Sequence, residues 1–345
     1  MRCYVLGAGF SVDAGFPLGR ELLTKTEREV LELEACGFRH SAPWSQFGDW
    51  WAASASWLRA FFPKYPALDA TDVELLFTLM DLRARQPDDP AHLLTKARLT
   101  LREGLYELFD TLDNRISSAL PPYVRLFGTL AGNGEACLVL NYDLLVERAL
   151  RDAGRWHVDD GWSFQVKIER AIGGGTDRTT HAPSIPVLKL HGSHGWHERH
   201  DGTLGMESEV LRRLDITIHD APGFAMDFYI DQPRAILEPS YLKPTDSPAL
   251  RPIWREAARV LRRCDEWVVC GYSFPEADVG ARTMFALAAA EPPLKRITIV
   301  DRDRRVATQV AHLIGSPVYY LESTAEAWLV DLSGDFGQAR IVKPI

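Results

Sequence analysis

Apolar residues along this chain fall into short unbroken runs separated by longer stretches of helical period. Cys-Tyr-Val-Leu at 3–6, Ala-Cys-Leu-Val-Leu at 136–140, Ile-Pro-Val-Leu-Lys-Leu at 185–190, Trp-Val-Val-Cys at 267–270 and Ile-Thr-Ile-Val at 297–300 are each too short for a helix. Runs of this length without polar alternation suit strands buried on both faces of a parallel sheet. A further short strand is expected at 317–320. Helical patterns follow or precede these runs from Arg20 onward, over 144–153 and over 248–263. Ser273-Phe-Pro-Glu276 and Ser323-Thr-Ala-Glu326 have the spacing of capping boxes, the first with proline inside its first turn. A helix is therefore expected from Ser273 through Ala290, and another after Ser323. Strands alternating with helices predict an α/β fold: a doubly wound, Rossmann-like parallel sheet with helices on both faces.

The alternation is interrupted by segments of other character. Residues 36–120 read as a helical insertion: Thr71-Asp-Val-Glu74 is a capping-box pattern that starts a helix near 72, and Leu101, Leu105, Leu108, Phe109 and Leu112 repeat at helical spacing within 93–120. Ahead of them Trp44, Trp50, Trp51 and Trp57 cluster in an irregular stretch, a pattern of core or subunit packing. Residues 154–182, with Gly173, Gly174 and Gly175, and the polar, irregular 195–232 read as smaller loop insertions. That leaves 1–35, 121–153 and 183–345 as one discontinuous sheet domain, with a short strand and a proline-bounded loop after Arg234.

Composition excludes several classes. The chain has 345 residues, 46% hydrophobic and 25% charged, ample for a full core. Its net charge of -8 and the lack of a dense basic block argue against direct nucleic-acid binding. The five cysteines, Cys3, Cys36, Cys137, Cys264 and Cys270, are odd in number and never spaced Cys-x-x-Cys, so neither a disulfide framework nor a zinc ribbon is expected. His197, Glu198 and His200 lack the helical context and spacing of a zinc protease motif, and no metal is expected. No stretch approaches the roughly 20 apolar residues of a membrane span, and a reducing cytoplasm fits the cysteine usage.

The chemistry gathers where the strands end. Those ends present Gly7, Ala8, Gly9, Phe10 and Ser11; Asn141, Tyr142 and Asp143; His191; Gly271, Tyr272 and Ser273; and Asp301. In an open parallel sheet, ligands lie outside the carboxyl ends of the strands, and a strand running through glycines toward a helix suits a pyrophosphate. The loop departs from a dehydrogenase fingerprint: Val12 occupies the third glycine's place, and the next glycine is Gly15.

Gly7-Ala-Gly-Phe-Ser-Val-Asp-Ala-Gly-Phe-Pro17, Asn141-Tyr-Asp143, Leu190-His-Gly192 and Gly271-Tyr-Ser273, in that order, resemble the sirtuin family, and more closely its bacterial sirtuin-like branch without a zinc ribbon. The resemblance implies a sirtuin-like fold and NAD+ as the substrate. It implies Asn141, His191 and Asp143 as catalytic residues. His191 would be a general base, Asn141 would bind the nicotinamide ribose or a water, and Asp143 would receive the carboxamide. It places Gly7, Ala8, Gly9, Phe10, Ser11, Asp13, Tyr142, Gly271, Ser273 and Asp301 around NAD+, with the backbone from Gly7 to Ser11 on the pyrophosphate. Two features depart from the lysine deacylases of the family: Leu18-Gly-Arg20 follows Pro17 instead of Asp-Phe-Arg, and the zinc cysteines are missing. Asp301 also stands where many relatives have asparagine. The implied activity is NAD+ glycohydrolysis by an effector of bacterial anti-phage defence, gated by a protein partner or by homo-oligomerisation. NAD-dependent protein-lysine deacylation and a non-enzymatic NAD or ADP-ribose sensor are the alternatives.

Overall fold

The computed structural model describes residues 1–35, 72–84, 91–116, 119–158, 160–162, 167–168, 183–199, 201–206, 234–241, 243, 247–291, 294–331 and 339–344. Its strands, in chain order, are β1 (Arg2–Leu6), β2 (Ala136–Val139), β3 (Lys167–Ile168), β4 (Val187–Lys189), β5 (Gly192–Glu198) and β6 (Leu204–Met206). They continue with β7 (Arg234–Ile236), β8 (Glu266–Cys270), β9 (Arg296–Asp301), β10 (Val318–Glu322) and β11 (Arg340–Val342). The helices are α1 (Ala8–Ser11), α2 (Gly19–Ala35), α3 (Val73–Ala84), α4 (Ala91–Arg115), α5 (Pro122–Leu130) and α6 (Leu145–Asp152). Beyond them lie α7 (Arg251–Arg263), α8 (Val279–Ala289), α9 (Arg304–Ile314) and α10 (Ala325–Val330).

Seven strands form the main sheet in the order β11-β10-β9-β8-β1-β2-β4, parallel except for the edge strand β11. β1 lies in the middle, paired with β2 on one side and β8 on the other, and everything from Cys3 to Leu6 is buried. That is the physical reason for its unbroken apolar run. The chain steps from β1 to β2 and β4 in one direction and from β8 to β9 and β10 in the other. Right-handed crossovers in opposite directions put their helices on opposite faces. One set is α5 packed on α6 and α10, the other α7 packed on α8 and α8 on α9. The reversal beside β1 opens a crevice at the carboxyl ends of the strands, as such switch points do. The expected parallel, Rossmann-like architecture is therefore what the chain adopts.

Three elements differ from the sequence reading. In the stretch 195–232, read as irregular, the described residues include strands: β5 and β6 belong to a second sheet ordered β3-β6-β5-β7. Its polar letters mislead because His194, Trp196 and His197 are themselves buried. β5 starts at Gly192, at φ +78°, where a Cβ would stand 2.0 Å from the Ala235 carbonyl oxygen. The helix expected from Ser273 begins only at Val279. Phe274, at φ +51°, holds the left-handed region, and Pro275 follows it, so a right-handed helix cannot pass through. α4 ends at Arg115 rather than 120.

The capping signals hold in part. Asp72 caps α3, its Oδ1 accepting from the amides of Glu74 and Leu75 at 2.9 and 3.0 Å. α10 is capped by Thr324, one residue beyond the expected Ser323. Arg98 fastens α4 to the segment after β7, with Nε 2.5 Å from Glu238 and Nη1 3.1 Å from Asp81 of α3. Thr78 Oγ1 accepts from the Tyr241 amide at 2.8 Å. α3 and α4 are thereby held against the sheet edge as a second wall of the crevice. Cys3, Cys137, Cys264 and Cys270 are buried and free. Cys36, Thr71, the four tryptophans between 44 and 57, Gly173 to Gly175 and His200 lie outside the described residues. No described helix is long and apolar enough to cross a membrane.

Candidate active site

A cleft of about 800 Å³ lies at the carboxyl ends of β1, β2, β4, β8 and β9 and is closed on the far side by α3, α4 and Lys243. Its volume falls among those of pockets that enclose whole small ligands. Ala8, Gly9, Ser11, Asp13, Asn141, Tyr142, Asp143, His191, Gly271, Ser273 and Asp301 all line it. Gly7 and Phe10 do not. Phe10 is fully buried, edge-on to Tyr123 and Phe127 at 5.9 and 5.3 Å, so it is a core residue and not a ligand contact.

The glycines serve the crossing of two loops. A Cβ on Gly7 would lie 2.5 Å from the Gly271 oxygen, one on Gly9 2.7 Å from the Gly271 Cα, and one on Gly271, at φ +64°, 2.4 Å from the Gly9 carbonyl carbon. Only residues without a Cβ let the loops after β1 and β8 approach this closely. Backbone bonds fasten the crossing: the Gly7 amide donates to the Cys270 oxygen at 3.1 Å and the Gly9 amide to the Gly271 oxygen at 2.8 Å. The Phe10 amide turns back to the Gly7 oxygen at 2.9 Å. These three N–H groups are engaged inside the fold, which corrects the expectation that the whole backbone from Gly7 to Ser11 faces a pyrophosphate.

Beside the crossing, Asn141 Nδ2 donates to the Gly7 oxygen at 2.9 Å and to Ser11 Oγ at 2.8 Å, and Ser11 Oγ donates to Asp143 Oδ2 at 2.8 Å. Asp143 Oδ1 accepts the Leu145 amide at 3.1 Å at the start of α6. Both N–H bonds of the Asn141 amide are used in holding the loops, which leaves its oxygen as the group it offers the cleft. Asp143, with both oxygens engaged, is first of all an anchor for Ser11 and α6.

The turn carrying these residues rests on a buried polar cluster. Lys189 Nζ donates to the Asp143 oxygen and, at 3.4 Å, to the Tyr142 oxygen, and pairs with Glu147 at 3.1 Å with both side chains fully buried. Ser193 Oγ and the His194 amide also donate to the Tyr142 oxygen, at 3.2 and 3.1 Å. His194 Nε2 lies 3.2 Å from Asp113, whose carboxyl burial pushes well above the usual range, with Asp143 adding to the shift. Polar groups this deep persist because partners replace water.

His191 stands at the end of β4, the strand paired with β2. Its Nδ1 lies 3.0 Å from the Leu140 carbonyl oxygen, which can only accept, so Nδ1 carries the hydrogen of this contact. Nε2 lies 3.3 Å from Asp278 Oδ1, within ion-pair distance but off the line of a hydrogen bond. Asp278 Oδ1 also receives Lys243, whose ammonium lies 3.6 Å from Glu74, while Tyr272 donates to Asp278 Oδ2 at 2.9 Å. Burial alone would raise the Asp278 carboxyl, but His191 and Lys243 outweigh it and hold it well below the usual range. Burial raises Glu74 and Asp301 above theirs.

Asp278, Lys243 and Glu74 escaped the sequence reading. Glu74 reads as part of a capping box, Lys243 sits among prolines, and Asp278 falls inside the helix expected from Ser273. The available signal was an acid set between Ala277 and Val279, at a position no helical face required. Asp301, at the end of β9, accepts the Asp303 amide at 2.8 Å, and Asp13 accepts the Glu326 amide at 3.4 Å. Tyr142 packs edge-on to Phe109 at 5.3 Å and donates to the Leu237 oxygen at 2.6 Å.

Fold and site together define a doubly wound α/β protein with a polar cleft at the switch point of its sheet. No family model and no curated protein matches the sequence. Solved structures similar to the chain include a mutant Sir2 homologue in complex with ADP-ribose, at 14% identity over 96% of this chain and 89% of that one, with a TM-score of 0.44. Sir2 with a p53 peptide and NAD+ is 14% identical over 98% and 93%, with a TM-score of 0.43. Sir2 bound to an acetylated peptide is 14% identical over the same shares, with a TM-score of 0.42.

Proposed function

We propose that this protein is an NAD+ glycohydrolase, cleaving the bond between nicotinamide and ribose to give nicotinamide and ADP-ribose. One observation carries the reading: Asn141 and His191, delivered by different strands, face one cleft at the switch point, beside a loop crossing that brings Ser11 and Gly271 to the same place. The nicotinamide of NAD+ leaves as a neutral molecule from a cationic ring, so the protein must place the bond, stabilise an oxocarbenium-like transition state and supply a nucleophile. The Asn141 oxygen is suited to a ribose hydroxyl or to the attacking water. His191 Nε2 is the group to accept that water's proton. Asp301 suits the adenine-side ribose hydroxyls. Since three of the loop amides are engaged, Arg20 and Arg302, both at the cleft, are the groups to face the pyrophosphate. In the cell, such an enzyme would be an effector of anti-phage defence, gated by a partner or by self-association.

Incubation with NAD+ while following nicotinamide tests this, with Asn141→Ala and His191→Ala alongside. Turnover by the wild type that falls at least 100-fold in both variants is expected; turnover indifferent to both refutes the assignment. An acetylated peptide in a parallel arm separates lysine deacylation, in which nicotinamide appears only with peptide. NAD+ binding by calorimetry, with no product in either arm, would instead favour a sensor.

A further inference from the structure

Asp278 and its neighbours form a charge group whose signs do not balance among themselves. Asp278 and Glu74 supply two negative charges and Lys243 one positive, so one negative charge is left facing Nε2 of His191. A proton on Nε2 closes that deficit. The other groups around the ring are neutral acceptors or donors: the Leu140 carbonyl at Nδ1, the Tyr142 ring 6.4 Å away with its hydroxyl bound to Leu237, and the Tyr272 hydroxyl bound to Asp278. Among the described residues, Asp278 is the one ion-pair partner of His191. Asp278 cannot swing away, because Lys243 and Tyr272 hold one oxygen each. Its carboxylate makes no capping bond to α8, although it stands at the cap position, so the helix does not account for its presence.

We propose that Asp278 is the positioning residue of His191: it holds the imidazole against the Leu140 carbonyl and balances the positive charge that arises when Nε2 takes a proton. The proposal rests on the glycohydrolase reading for its chemical step. In that step the ribose C1′–N bond breaks, nicotinamide leaves neutral, a water oxygen bonds to C1′, and the water's proton passes to Nε2 beside the Asp278 carboxylate. Lys243 and Tyr272 keep the carboxylate in place, and Lys243 with Glu74 and Asp278 leaves one net negative charge before the proton arrives.

Asp278→Asn and Asp278→Ala test it in the full chain. For Asp278→Asn, kcat for NAD+ hydrolysis is expected to fall about 10- to 100-fold with KM nearly unchanged. A second readout needs no turnover. In protein labelled with 15N-histidine, exchange of the His191 Nδ1 hydrogen is expected to accelerate at least 10-fold in Asp278→Ala. His194 is the internal control: its Nδ1 faces the Tyr142 oxygen and its Nε2 faces Asp113, and its exchange should not change. Acceleration at both histidines, or at neither, would overturn the proposal. If the wild type has no turnover, the glycohydrolase reading fails alone, and the exchange experiment still decides whether Asp278 holds the ring.

Discussion

Ser11 is the joint through which three parts of the chain meet, and replacing it tests how the candidate site is held. Its hydroxyl accepts from Asn141 at 2.8 Å and donates to Asp143 at 2.8 Å, and Ser11 and Asp143 are each only 1% exposed. Ser11→Ala removes both bonds without admitting water readily, so an amide N–H and a carboxylate oxygen lose a partner. A bond to a charged group contributes about 1.5–3 kcal/mol and a neutral one about 0.5–1.5, giving a loss of about 2–4.5 kcal/mol. Urea unfolding followed by tryptophan fluorescence measures this, with Ser11→Thr as the variant that keeps the hydroxyl. A double-mutant cycle with Asp143→Asn should show a coupling of at least about 1 kcal/mol, since neighbours in one network are not additive. Destabilisation by Ser11→Ala of under about 0.5 kcal/mol, or strict additivity in the cycle, would refute the view that this serine ties the strand ends together. Under the proposed function, Ser11→Ala also loosens Asn141, so NAD+ turnover should fall by more than the folded fraction does.

Other outcomes follow from the same structure. Gly271→Ala should yield little folded protein, because its Cβ meets Gly9 backbone at 2.4 Å. Gly134→Ala, also at positive φ but with nothing within 4 Å, should cost only the left-handed backbone penalty of about 1–2 kcal/mol; equal thermal shifts for the two would contradict the loop-crossing account. Lys189→Met should destabilise by about 3–5 kcal/mol by stranding the buried Glu147, and adding Glu147→Leu should restore part of the loss, which chemical denaturation of the single and double variants checks. Asp278 has a depressed carboxyl, so the stability it contributes is present above the ordinary aspartate value and is lost as the pH falls. The stability gap between wild type and Asp278→Asn should be full at pH 5 and shrink below about pH 4; a gap that widens on acidification would reverse the sign.

Burial explains what could be read in the letters and what could not. Strands such as Arg2–Leu6 and Glu266–Cys270 are covered on both faces, which demands unbroken apolar runs, and such runs are visible without coordinates. β5 is as thoroughly buried, but as Gly-Ser-His-Gly-Trp-His-Glu, with Ser193 and His194 facing Tyr142 and Asp113 from far away in sequence, and no local pattern reports that. The start of α8 failed for a related reason. A capping box is a local signal, whereas Phe274 is held at positive φ among Tyr272 and Phe285, contacts that only the folded chain assembles.

The sequence alone determined the parallel sheet, the order of its strand-end motifs and the place at the cleft of every candidate site residue but Gly7 and Phe10, because these depend on hydrophobic period and on residue types that must sit at strand ends. Tertiary structure decided what those residues are for. It showed that Gly7, Gly9 and Gly271 are small so that two loops can cross, that Phe10 belongs to the core, and that Asp143 anchors a serine and a helix. It also brought Glu74, Lys243 and Asp278 to His191 from positions up to 204 residues apart in the chain, counting from Glu74 to Asp278. Charge partners separated by that distance leave no trace in spacing, since Coulomb interactions act through space and chain topology alone sets which charges meet.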